Sequence, residues 1–166
     1  MRGYYKIARH YKWALDQIFM KHKFQTVILN EDDLSLSPDF LSYFEAMQKV
    51  LSNDSSLFCV SAWNDNGKKN LIDTKAFGEY YKKKNIYINI KVTCYFIDKV
   101  HRSDFFPGLG WMMQRSLWLE MRKKWPVGFW DDWIREPVNR KNRACLRPEI
   151  SRTELSRQES KKGVSM

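Results

Sequence analysis

The sequence predicts an α/β fold with a mostly parallel central sheet flanked by helices. Short continuous apolar runs alternate with longer segments of helical spacing, in the order helix, strand, helix, strand. Turn-forming residues then close the second strand in NDNG.

From Ala8 to Met20 the residues Tyr11, Ala14, Leu15, Ile18 and Phe19 recur at helical spacing, and Phe24 to Leu29 is an apolar run of strand length. In the next segment Ser37 suits an N-cap, Pro38 the first helical position and Asp39 the positive end of the helix dipole. Phe40, Leu41, Phe44, Met47, Val50 and Leu51 then share one helical face. Leu57 to Trp63 predicts a second strand. FFPGLGWMM reads as a glycine-punctuated loop, Ser116 to Lys124 as a helix, and the last third as polar and irregular around FWDDW and CLRPEIS.

A chain of 166 residues, 43% hydrophobic, can bury one sizeable core, as a single domain or a large part of one. No window reaches the ~18 to 20 continuous apolar residues of a membrane span, and no signal-peptide pattern is present. Lys and Arg outnumber Asp and Glu by 29 to 19. They are scattered, without an RNP, finger or basic-zipper pattern, so a solvated surface is expected and a nucleic-acid partner is not. Cys59, Cys94 and Cys145 form no CxxC, which disfavours a zinc knuckle and allows one disulfide plus an odd thiol.

The chemistry concentrates in two acidic clusters. In an open α/β sheet ligands bind beyond the carboxyl ends of strands, where Asn30, Glu31, Asp32 and Asp33 fall. Adjacent carboxylates repel one another, so this triplet is either a solvated loop or a seat for a hard cation such as Mg²⁺ or Mn²⁺. FWDDWIR sets a second acidic pair between aromatics. Such a pair suits gripping a sugar ring and taking a hydroxyl proton, or else it is a core Trp pair with exposed acids.

Six segments, GYYKIARHYKWAL, VILNEDDLSLSPDFLSYF, LFCVSAWNDNGK, DFFPGLGW, KWPVGFWDDWIR and RACLRPEISRT, resemble in order the catalytic domain of the N-acetylglucosaminyltransferase I family, over most of residues 3–153. The resemblance implies a GT-A glycosyltransferase fold and a type II membrane protein of the Golgi lumen. The implied reaction moves N-acetylglucosamine with inversion from UDP-N-acetylglucosamine to an α-1,3-linked mannose of a high-mannose N-glycan, in β-1,2 linkage and with Mn²⁺. It makes Asp33 the direct manganese ligand, sets Glu31 and Asp32 against the donor's sugars, and gives His10 a uracil contact. Asp131 would be the catalytic base, Asp132 a secondary candidate, with Trp130 and Leu109 lining the donor-sugar pocket. Cys59 and Cys145 match positions joined by a disulfide, which fits an oxidising lumen. Val164 and Ser165 match the start of a donor-closing loop, and Arg147 and Glu149 receive no role.

Residues 3–73 and 103–153 follow the family, whereas 74–102 is longer than its counterpart and rich in residues with AT-rich codons. It reads either as an intron translated in frame or as a lineage-specific loop in which KNIYINIKV alternates like an exposed strand. Residues 1–166 are expected to be a partial GT-A domain truncated at both ends, with the closing loop starting at 161–166. The membrane anchor and the first donor-binding strands would be absent, and this chain alone weakly folded and inactive. The competing readings are an O-mannose β-1,2-N-acetylglucosaminyltransferase and a catalytically dead sugar-nucleotide or glycan binder.

Overall fold

The computed structural model describes residues 2–67 and 100–156. Helix α1 (Arg2–Asp16) runs into one π-helical turn (Gln17–Lys21), followed by β1 (Thr26–Leu29), β2 (Leu34–Leu36), α2 (Phe40–Asn53) and β3 (Leu57–Ser61). The second described segment holds β4 (Val100–Ser103), β5 (Trp111–Gln114), α3 (Arg115–Met121), α4 (Trp130–Arg135), α5 (Pro137–Arg140), β6 (Ala144–Pro148) and β7 (Thr153–Leu155). Cys94, Val164, Ser165 and residues 74–99 lie outside the described residues. The end of the long stretch, Val100 to Arg102, belongs to β4.

The expected mostly parallel sheet is not what forms. The five-stranded sheet has the order β1-β5-β3-β6-β4, and only β3 and β6 pair in parallel, the other three ladders being antiparallel. The unit β1–α2–β3 does place two strands in the same direction, but β5 inserts between them, antiparallel to both. Apolar runs such as LFCVS show burial on both faces, and a central strand has that pattern whichever way its neighbours run.

Both faces of the sheet are covered. Val27, Leu29, Cys59, Trp111, Met113 and Cys145 pack with α1, α3 and α4, while Ile28, Leu57, Val60, Met112 and Leu146 pack with α2. Side chains therefore alternate between the two cores with the strand period of two, except in β3, where Phe58 and Cys59 share one core beside a register shift. Cys59 and Cys145 are register partners on β3 and β6 and form a disulfide, with Cα atoms 4.6 Å apart.

Several local expectations change. WMM of FFPGLGWMM, expected as loop, lies in β5, and Leu41, expected on the buried face of α2, is 70% exposed. Helix α1 starts at Arg2, not Ala8, because its first turns carry exposed residues and only Ala8 and Leu15 are buried. Asp39, not Ser37, occupies the N-cap of α2, and the Ser37 hydroxyl instead donates to Asp39 Oδ1 at 2.6 Å. As far as Ser156 the last third forms regular elements: β6 closes the parallel ladder with β3, and β7 pairs with β2 in a small second sheet. Among the described residues no helix is long and apolar enough to cross a membrane.

Candidate active site

Because β1, β3 and β6 run the same way, their carboxyl ends meet at one edge of the sheet, beside the amino end of β5. Leu29 and Ser61 both pair with Trp111, so the Gly108–Gly110 loop before β5 emerges between the loops that follow β1 and β3. The Gly110 carbonyl accepts from Ala62 N–H at 2.7 Å. Leu109 has φ +48°, and its carbonyl accepts the Thr153 hydroxyl at 2.7 Å. The acidic turn is clamped from the same side: Ser156 N–H donates to the Asp33 carbonyl at 2.8 Å and Ser37 N–H to the Arg152 carbonyl at 2.9 Å. Arg152, 4% exposed, in turn donates to Asp39 Oδ2 at 3.1 Å.

His10, Glu31, Asp32 and Asp33 line a cleft of about 790 Å³ between α1 and β1, together with Tyr11 and Asn30. The imidazole of His10 is exposed on α1. Asp32 is exposed, whereas Glu31 and Asp33 are half-buried. Burial pushes the Glu31 carboxyl above the usual carboxylate range and the charge of Asp33 adds to this; the Tyr11 hydroxyl opposes it, and Asp131 and Asp32 raise it further.

The charge of Asp131 therefore reaches Glu31, although Asp131 does not itself line the cleft. It sits in the first turn of α4, with Asp131 Oδ2 3.3 Å and Asp132 Oδ1 3.2 Å from Nη1 of Arg135. The Asp132 side chain is 71% exposed and that of Asp131 40%. Trp130 is buried among aromatics, its ring 4.3 Å from Tyr11, 5.9 Å from Trp125 and 6.1 Å from Trp111, in stacked arrangements. The FWDDW segment thus supplies a core tryptophan and two solvent-accessible acids that share Arg135.

One atom points to a ligand. Asp33 Oδ1 is the buried side-chain polar atom that has no hydrogen-bond partner among the described residues. A carboxylate oxygen withdrawn from water without a partner is costly, and a hard cation is the partner that suits it. Among the described residues no group of three or more His, Cys, Asp and Glu is placed to hold a metal. A cation at Asp33 would therefore take most of its oxygen ligands from a bound molecule or water.

Sequence reasoning did not single out Tyr11, Arg135 or Thr153, all of which touch or brace the predicted residues. Tyr11 had only its place in an apolar helical pattern to mark it, and the other two had no local signal. Arg147 and Glu149 now have a structural role. Arg147 donates to the Asn64 side chain, Glu149 pairs with His101, and Asn64 donates to the Glu149 carbonyl at 2.6 Å.

The acidic turn thus lines a strand-end cleft, and sequence relationships identify the family of the chain. Residues 1–88 and 89–166 match the GNT-I family, and the chain belongs to that family. It is 47% identical over 154 residues to the Arabidopsis thaliana alpha-1,3-mannosyl-glycoprotein 2-beta-N-acetylglucosaminyltransferase, which covers 92% of this chain. The chain spans about 30% of the length of that relative.

Proposed function

We propose that this chain carries the acid-bearing part of a GT-A-type, inverting N-acetylglucosaminyltransferase of the Golgi lumen. The donor is UDP-N-acetylglucosamine, and the acceptor is an α-1,3-linked mannose of an N-glycan, joined in β-1,2 linkage. The observation that carries this reading is the unpartnered Asp33 oxygen in a cleft that also places Glu31 within the electrostatic reach of Asp131. The N-glycan acceptor, in preference to O-linked mannose, rests on the relative's name.

In this reading Asp131 accepts the proton of the attacking mannose hydroxyl, opposite the leaving UDP, so the anomeric configuration inverts in one displacement without a covalent enzyme intermediate. Arg135 pairs with this carboxylate and restrains it. Glu31 and Asp32 offer oxygens to the donor's sugar hydroxyls, and His10 lies on the α1 wall where a base could rest. Asp33 would hold Mn²⁺, which when bound supplies positive charge to the departing diphosphate.

The test is a calorimetric titration of UDP-N-acetylglucosamine into the full-length protein with and without Mn²⁺, followed by separate assays of hydrolysis and transfer. Metal-dependent binding with transfer to a mannose-terminated N-glycan is expected. Binding without transfer would leave a sugar-nucleotide binder, and no binding at all would refute the reading.

A further inference from the structure

Tyr11 touches Glu31 of the first acidic cluster and Trp130, the residue just before the second. It lies on α1, one residue beyond His10, between two anchors of that helix. On one side the Ala8 carbonyl accepts Trp125 Nε1–H at 2.9 Å; on the other the Asp16 carboxylate accepts Trp118 Nε1–H at 3.0 Å and Arg122 Nε–H at 3.2 Å. From this fixed backbone the Tyr11 ring lies against Trp130, the first residue of α4, with centroids 4.3 Å apart and planes inclined by 27°. Its hydroxyl lies 3.4 Å from Glu31 Oε1, a long contact that a small shift of the loop would shorten.

We propose that Tyr11 is a positioning residue that sets the distance between the two carboxylate clusters, its ring seating the helix of Asp131 and its hydroxyl restraining Glu31. The inference rests on the transferase reading only for its kinetic consequence. The acidic turn is also held through its backbone, by Ser156 N–H on the Asp33 carbonyl. The start of α4 has no side-chain cap, and Phe129 before it has φ +51°. Among the rings that seat the start of α4, namely Tyr4 on Phe129 and Tyr11, Trp111 and Trp125 on Trp130, Tyr11 is the one whose hydroxyl also reaches Glu31. Because one ring makes both contacts, a displacement of either cluster is felt by the other.

Two substitutions separate this role from simple core filling. Tyr11→Phe keeps the stack and removes the hydroxyl, whereas Tyr11→Leu removes both. In the full-length protein Tyr11→Phe should raise the donor KM by roughly threefold to tenfold with kcat within about twofold, the scale of one weak hydrogen bond to a charged group. Tyr11→Leu should in addition lower kcat by at least ~10-fold, and Tyr11→Phe would stand as the rescue of that second loss. Amide hydrogen exchange reads the same coupling without substrate. Exchange at residues 31–34 should quicken in both variants, and at 130–134 in Tyr11→Leu alone. If exchange in both segments matches the parent, or if Tyr11→Leu lowers only the melting temperature, the proposal is overturned. A parent that binds and transfers nothing would defeat the transferase reading, and the exchange result would still decide the role of Tyr11.

Discussion

The Thr153 hydroxyl and the Leu109 carbonyl are hydrogen-bonded at 2.7 Å, which ties the strand beside the acidic turn to the glycine loop beside β3. Residues far apart in the chain thereby hold one another at the mouth of the cleft. The close approach requires Gly110, which has φ +85° and whose added Cβ would lie 2.9 Å from Thr153 Cγ2 and 3.4 Å from Asn30 Oδ1.

Gly110→Ala should therefore destabilise the protein by roughly 1 to 3 kcal/mol through backbone strain and this clash. Urea unfolding measures it. A midpoint equal to the parent's would show that the loop shifts freely and that Thr153 does not fix Leu109.

Asp33→Asn should abolish Mn²⁺-dependent binding of UDP, because the charged oxygen that a hard cation depends on is gone. In metal-free buffer the same variant should be as stable as the parent or more so, since an unpartnered buried charge has been removed. Undiminished binding of UDP and Mn²⁺ in calorimetry would show that the metal assignment is wrong.

Asp131→Asn should keep donor affinity and lower kcat by at least ~10²-fold, the usual scale of a lost general base. Asp132→Asn should cost far less, since its side chain is 71% exposed and Asp131 is the acid that acts on Glu31 and Tyr11. Equal losses, or the reverse order, would move the base elsewhere.

Asp16 fastens α1 to α3. Burial alone would raise its pKa, but hydrogen bonds from Lys12, Trp118 and Arg122 outweigh that and hold it below the ordinary carboxylate value. The folded state then binds this proton more weakly than the unfolded chain does, so the contribution to stability is complete above the ordinary value, 3.8, and disappears as pH falls through the lower folded value. Asp16→Asn should cost about 1 to 2 kcal/mol at neutral pH and progressively less in acid. A pH-independent difference between variant and parent would contradict this account.

Replacing Cys59 and Cys145 together by Ser opens a link between residues 86 apart in sequence. The chain-entropy argument gives a loss of about 4 to 5 kcal/mol for a loop of this size. Chemical unfolding of the double variant tests it, and a loss under ~1 kcal/mol would mean that the β3–β6 ladder needs no covalent tie.

Elements with a strong local pattern were readable from the sequence. The apolar run into NEDD marked β1, and α2 forms with five of its six expected face residues buried, Leu41 being exposed, while LFCVS is buried along its whole length in β3. Elements without such a pattern were not readable: α4 has six residues, too few to show a helical period, β7 has three, and β6 includes an arginine and a proline. These short elements exist because of what they dock against, with β7 on β2 and β6 between β3 and β4.

Residue chemistry and order placed the two acidic clusters and, through the family resemblance, the cysteine pair, because those are properties of neighbouring residues or of matching positions. Strand direction and the meeting of α4 with α1 through Trp130 and Tyr11 were settled by folding, because they depend on which distant surface each segment buries. Nothing near Leu29 shows that β5 will slot in beside it, and nothing near Tyr11 shows that its ring will rest on Trp130. A local pattern reports how much of a segment is buried, and only the packed chain determines what it is buried against.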